Sequence, residues 1–157
     1  MISGNLTTEP AAPAHPMIIM NSAEPSLQRI LRVAIIEDSR NIRERLVQLV
    51  EESQVMQVVG EADSEEAAIA VCRGTAPDAI ILDLRLAKGT GLGVLKALRY
   101  ADAERKPAII VLTNFPLPAF ERAARALGAD WFLDKSSEFH KLRGLLRDLL
   151  EPPAAKG

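Results

Sequence analysis

The chain has 157 residues, 48% of them hydrophobic, with 19 Lys and Arg against 21 Asp and Glu and a formal net charge of −2. That length suits one domain with a full-sized core, and the near balance of charge, with neither basic patch nor basic tail, argues against a nucleic-acid or membrane-surface partner. Cys72 is the single cysteine, which excludes an internal disulfide and a multi-cysteine metal site and fits a reducing, cytoplasmic setting. No apolar run reaches the roughly 20 residues of a membrane span.

Residues 1–29 are expected to form a disordered leader. Pro10, Pro13, Pro16 and Pro25 fall there among small and polar residues, and the one apolar stretch, Met17-Ile18-Ile19-Met20, is too short for a secretory signal. The folded domain is expected over 30–151, followed by a short tail at 152–157.

The first strand, Val33-Ala34-Ile35-Ile36, runs into Glu37 and Asp38. Ser39 then caps a helix to about Glu52, with Ile42, Leu46, Leu49 and Val50 as its apolar stripe and Arg43, Glu44, Gln48 and Glu51 facing water. Val55 to Ala62 reads as a second strand with Val58 and Val59 in the core. Ser64-Glu65-Glu66 opens a second helix, its acids complementing the helix dipole, and Gly74 closes it. Ala79-Ile80-Ile81-Leu82 is the third strand and ends on Asp83. Gly89 and Gly91 make 84–91 a loop, after which a third helix runs through Leu92, Leu95 and Leu98.

Ala108 to Leu112 is the fourth strand and runs into Thr113. Asn114-Phe115-Pro116-Leu117-Pro118 turns into a fourth helix carrying Phe120, Ala123, Ala124 and Leu127, which Gly128 stops. Trp131-Phe132-Leu133 runs through Asp134 into Lys135. The last helix, Ser137 to about Glu151, puts Phe139, Leu142, Leu145 or Leu146, and Leu149 on one face before Pro152 ends it.

Short continuous apolar runs that alternate with amphipathic helices predict buried parallel strands. The fold class is α/β: a doubly wound, five-stranded parallel sheet with helices on both faces. In such a sheet the carboxyl ends of the strands share one edge, where ligands bind. Glu37, Asp38, Asp83, Thr113 and Lys135 are therefore expected in one crevice. Crowded carboxylates take up a proton or hold a cation, and without His or Cys partners Mg2+ is favoured. With a lysine and a hydroxyl beside them, they suit phosphoryl transfer, in which an aspartate nucleophile would give an acyl phosphate.

An acidic pair after strand one, Asp83 after strand three, Thr113 after strand four and Lys135 after strand five resembles the receiver domain of bacterial two-component response regulators, over about residues 31 to 151. The resemblance implies a flavodoxin-like (βα)5 fold with strand order 2-1-3-4-5. It implies that Asp83 accepts a phosphoryl group from a sensor histidine kinase or phosphotransfer protein. Asp38 and Asp83 would coordinate Mg2+ with the backbone carbonyl of Arg85, and Glu37 would act through a metal-bound water. Thr113 would hydrogen-bond a phosphoryl oxygen, Lys135 would pair with it, and Phe132 would be the switch aromatic. The protein would be a switch and not an enzyme, catalysing only its own phosphorylation and dephosphorylation.

There are departures from that pattern. Asn114 stands where a small residue is usual, Ala87 where proline is frequent, and Ser136 where a cis-proline is usual. Arg85 and Phe115, two residues past Asp83 and Thr113, would flank the path of attacking water, and their bulk implies slow autodephosphorylation. Output would pass from a stand-alone receiver to a downstream protein target through the face of the fourth helix, fifth strand and fifth helix, with neither nucleic acid nor membrane as partner. A phosphorylation-independent interaction module is the alternative. A haloacid dehalogenase type of phosphatase would need a second Asp at position 85, where Arg85 stands.

Overall fold

The computed structural model describes residues 29–100 and 103–151. All of the expected leader except Arg29, and the tail at 152–157, lie outside the described residues. The elements alternate strictly: β1 (Leu31–Ile36), α1 (Arg40–Glu51), β2 (Met56–Ala62), α2 (Glu65–Thr75), β3 (Ala79–Leu82), α3 (Gly91–Leu98), β4 (Ala108–Thr113), α4 (Pro118–Ala126), β5 (Trp131–Asp134) and α5 (Leu142–Asp148). The five strands are parallel, in the order β2-β1-β3-β4-β5. This is the doubly wound, flavodoxin-like arrangement expected from the alternation.

The apolar runs are continuous because the central strands are covered on both faces. Ile35, Ile81 and Leu112 face one core with Leu46 and Val50 of α1 and Leu142 and Leu146 of α5. Ile36, Ile80, Leu82 and Ile109 face the other, with Ala68 and Cys72 of α2, Val94 and Leu95 of α3, and Ala124 of α4. Three helices start on a side-chain cap: Ser39, Ser64 and Thr90 accept from the backbone N–H groups of Ile42, Ala67 and Gly93. Each such cap contributes about 1 kcal/mol.

Three local expectations are corrected. Val58 and Val59 are only half-buried, because β2 is the sheet edge and its register against β1 shifts between Val33 and Ala34. The buried residues of that strand are Met56 and Ala62. Helix α2 runs through Gly74 to Thr75 and ends on Ala76 in the left-handed region (φ 46°). The Arg32 guanidinium takes the Thr75 and Ala76 carbonyls at 2.7 and 2.8 Å, and this compensates a cap without glycine. The last helix starts at Leu142, after a single 3-10 turn at Phe139–Lys141. Asp134 delays it by accepting from the Ser136 N–H at 2.9 Å and its hydroxyl at 2.8 Å, a local turn that competes with helix.

Candidate functional site

The backbone ladder delivers the chemistry to one edge. Just past the ends of β1, β3 and β5, the next N–H still bonds the neighbouring strand: Glu37 to the Ala62 carbonyl (2.9 Å), Asp83 to Ile36 (2.9 Å) and Lys135 to Thr113 (2.8 Å). These bonds fix the first residues beyond the strands. Among the described residues the buried charged or polar side chains are Glu37, Asp83, Thr113 and Lys135, all at this edge.

Lys135 spans the crevice. Its Nζ lies 2.7 Å from Glu37 Oε1 and 2.8 Å from Asp83 Oδ2, with all three side chains nearly inaccessible. The second oxygen of Glu37 accepts from the Ser39 N–H at 3.0 Å, and Oδ1 of Asp83 accepts from the Arg85 N–H at 3.2 Å. Asp38 is exposed at the rim. One carboxylate oxygen each from Glu37, Asp38 and Asp83 lies within 4.8 Å of the others. Thr113 is fully buried on β4, and its hydroxyl oxygen accepts from the Phe115 N–H at 3.1 Å. Phe132 stands apart from this cluster, half-buried against the core of α2, α3 and α4.

The electrostatics follow from crowding under cover. Burial pushes the Glu37 carboxyl above its ordinary range; the hydrogen bonds from Lys135 and the Ser39 N–H pull it down, the Asp83 charge pushes it up again, and the balance stays raised. Burial alone would lower Lys135, but its hydrogen bonds to Asp83 and Glu37 and their charges outweigh that and raise it. Two buried carboxylates share one ammonium and a third stands at the rim, so acidic groups outnumber the lysine. All the donors are oxygens, which suits a hard cation.

All described peptide bonds are trans, including Lys135–Ser136, and Lys135 still reaches into the crevice. Asn114 is exposed and lines a cleft of about 340 Å3 beside Lys135 and Ser136. The Ala87 N–H donates to the Asp63 carbonyl at 2.9 Å, a bond that proline could not make. The Arg85 guanidinium stacks on the Phe115 ring at 5.4 Å, and both line an apolar cavity of about 310 Å3 with Leu84, Leu92, Thr113 and Phe120. Phe120 of α4 is 38% exposed there.

Two contributors have no signal in the sequence. Arg43, expected to face water, donates from Nη1 to the Glu37 carbonyl at 2.8 Å and pairs with Glu61 at 3.3 Å. Glu65, read as a dipole-complementing acid, accepts from the Thr90 N–H at 2.9 Å across 25 residues of sequence.

Fold and site together define a signalling receiver module. The family model for the response regulator receiver domain matches residues 33–147, and the chain belongs to that family. An uncharacterized transcriptional regulatory protein of Bacillus subtilis, YvfU, is 33% identical over 119 residues, which are 75% of this chain and 58% of that protein. The signal receiver domain of NarL from Mycobacterium tuberculosis is 29% identical with a TM-score of 0.69, over 78% of this chain and 97% of that one. A DNA-binding response regulator of the LuxR family from Staphylococcus aureus has this fold, with a TM-score of 0.69 at 22% identity over 78% of this chain and 100% of that one.

These names overturn the expectation that nucleic acid is excluded as a partner. A net charge near zero averages over the chain, which spans 58% of YvfU and carries no information about the rest of such a protein. The average also hides local differences: Arg29, Arg32, Arg73, Arg105 and Lys106 line one cleft at the opposite sheet edge with Asp78, which pairs with Arg29, while Lys106 pairs with Asp130. No helix among the described residues is long and apolar enough to cross a membrane.

Proposed function

We propose that this receiver accepts a phosphoryl group on Asp83 from the phosphohistidine of a sensor kinase or phosphotransfer protein, with Mg2+ as cofactor. The observation that carries this reading is the buried Lys135 ammonium, shared by Glu37 and Asp83 with Asp38 at the rim. Family membership supports it. Asp38, Asp83 and the Arg85 carbonyl would hold the ion, with Glu37 acting through a bound water; the all-oxygen donor set fits. When bound, Mg2+ neutralises charge on the phosphoryl oxygens.

The chain's own groups do the rest. An oxygen of Asp83 attacks phosphorus, the P–O bond forms as the P–N bond breaks, and the departing imidazole nitrogen keeps the electron pair. Lys135, already 2.8 Å from Asp83, pairs with a phosphoryl oxygen as the carboxylate charge is spent. The Thr113 hydroxyl accepts from Phe115 and keeps its own hydrogen for the phosphoryl group. That pull on the loop after β4 would reach Phe132 on the neighbouring strand, at the position paired with Val111.

A small-molecule phosphodonor with Mg2+ should add one phosphoryl group by mass, and Asp83→Asn or chelation should abolish it. No adduct on wild-type protein that binds its partner regardless would leave the phosphorylation-independent module as the reading. The Arg85–Phe115 stack, in the cavity that Thr113 also lines, supports slow autodephosphorylation. Arg85→Ala with Phe115→Ala should then shorten the lifetime of the adduct several-fold, and an unchanged lifetime counts against it.

A further inference from the structure

The loop that carries Arg85 is held from outside. An antiparallel bridge joins Arg85 to Thr90 across its neck. Beyond the neck, the start of α2 fastens it at three points. The Ala87 N–H donates to the Asp63 carbonyl and the Glu65 N–H to the Lys88 carbonyl, both at 2.9 Å. The third point is a side chain: Glu65 Oε1 accepts from the Thr90 N–H at 2.9 Å.

Two glycines make room for that carboxylate. A Cβ built on Gly89 would lie 3.0 Å from Glu65 Cδ, and one built on Gly93 would lie 2.6 Å from it. Thr90 is also the cap of α3, its hydroxyl accepting from the Gly93 N–H at 3.0 Å. The Glu65 carboxylate therefore sits at the positive end of a second helix as well as in the first turn of its own. A mere dipole-complementing acid, such as exposed Glu66, needs none of this fit.

We propose that Glu65 is a positioning residue for the cation site. By holding Thr90 it fixes the bridge partner Arg85, and with it the carbonyl that would join Asp38 and Asp83 around Mg2+. The inference rests on the Mg2+ reading given above. Mg2+ demands near-ideal octahedral geometry, and loss of a contact behind a ligand typically weakens metal binding about 10–100-fold. Without the Glu65 carboxylate the two backbone bonds to the start of α2 remain, but Thr90 is released, and with it the Arg85 carbonyl is freer to turn away.

Calorimetric titration of the full chain with MgCl2 reads the affinity, and hydrogen exchange at the Thr90 amide reads the clasp. Glu65→Ala should bind Mg2+ about tenfold more weakly, with the Thr90 amide released. Glu65→Gln, which keeps an acceptor oxygen, should behave as the wild type in both. Gly93→Ala favours the helix in itself yet should displace the carboxylate and weaken Mg2+ binding, and adding it to Glu65→Ala should cost nothing more. Wild-type affinity in Glu65→Ala overturns the proposal, as does Glu65→Gln failing like Glu65→Ala. Wild-type protein that binds no Mg2+ while Thr90 stays protected overturns the reading of the site, and the inference with it.

Discussion

At the amino-terminal edge of the sheet, Arg32 caps the carbonyls of Thr75 and Ala76, Asp78 accepts from the Arg32 N–H at 2.9 Å, and Lys106 pairs with Asp130 at 2.8 Å. At the carboxyl edge, Glu37 and Asp83 compete for Lys135 while Asp38 waits at the rim. The first edge spends charge on orphan backbone groups left by strand and helix ends, which is a stabilising use. The second buries like charges together and leaves their compensation incomplete, which costs stability and prepares a site. Charge alone does not mark function; charge whose needs the fold leaves unmet does.

Lys135 carries the difference between the two edges. Lys135→Ala leaves two buried carboxylates without a counter-charge, and we expect about 3 kcal/mol lower stability in urea at neutral pH without metal, together with loss of phosphorylation. Unchanged stability would mean that the ammonium does not compensate the acids. At the other edge, Arg32→Ala removes two charge-assisted bonds and should cost about 2 kcal/mol while phosphorylation on Asp83 proceeds at the wild-type rate. A phosphorylation defect there would erase the distinction between the edges.

A finer measurement uses pH. The Glu37 carboxyl is raised, so the native state holds its proton more tightly than the unfolded chain does. Its contribution is therefore favourable in acid and is lost as pH rises through its native titration. Lys135 is raised too, so its contribution persists across neutral pH and is lost only in alkali. Carboxyl NMR of the metal-free protein should show Glu37 titrating above the ordinary value of 4.5, and less so in Asp83→Asn, where one neighbouring charge is gone. The smallest effect belongs to Cys72, whose thiol is pushed up to about 11 by burial. A thiol reagent at neutral pH should leave it unmodified until the protein unfolds.

Much of this was legible in the residues. The runs at Val33, Ala79 and Ala108 are unambiguous because strands covered on both faces have no polar side, and Ser39 and Ser64 are visible as caps because the bond they make spans three residues. The β2 register and the late start of α5 were hidden. The first depends on which strand becomes the sheet edge, the second on Asp134 outbidding helix for the Ser136 N–H. Glu65 and Arg43 look like solvated helix acids and bases, since their partners lie in other elements or beyond helical spacing.

The pattern of apolar runs and the residue type that ends each run determined the fold class, the edge at which the acids, Thr113 and Lys135 gather, and the family. These are periodic or adjacent features, carried by the order of residues along the chain. Which carboxylates share the lysine, how deeply each is covered and what fastens the loop of Arg85 were decided only in three dimensions, because hydrogen bonds and burial depend on distances between segments that no local spacing records.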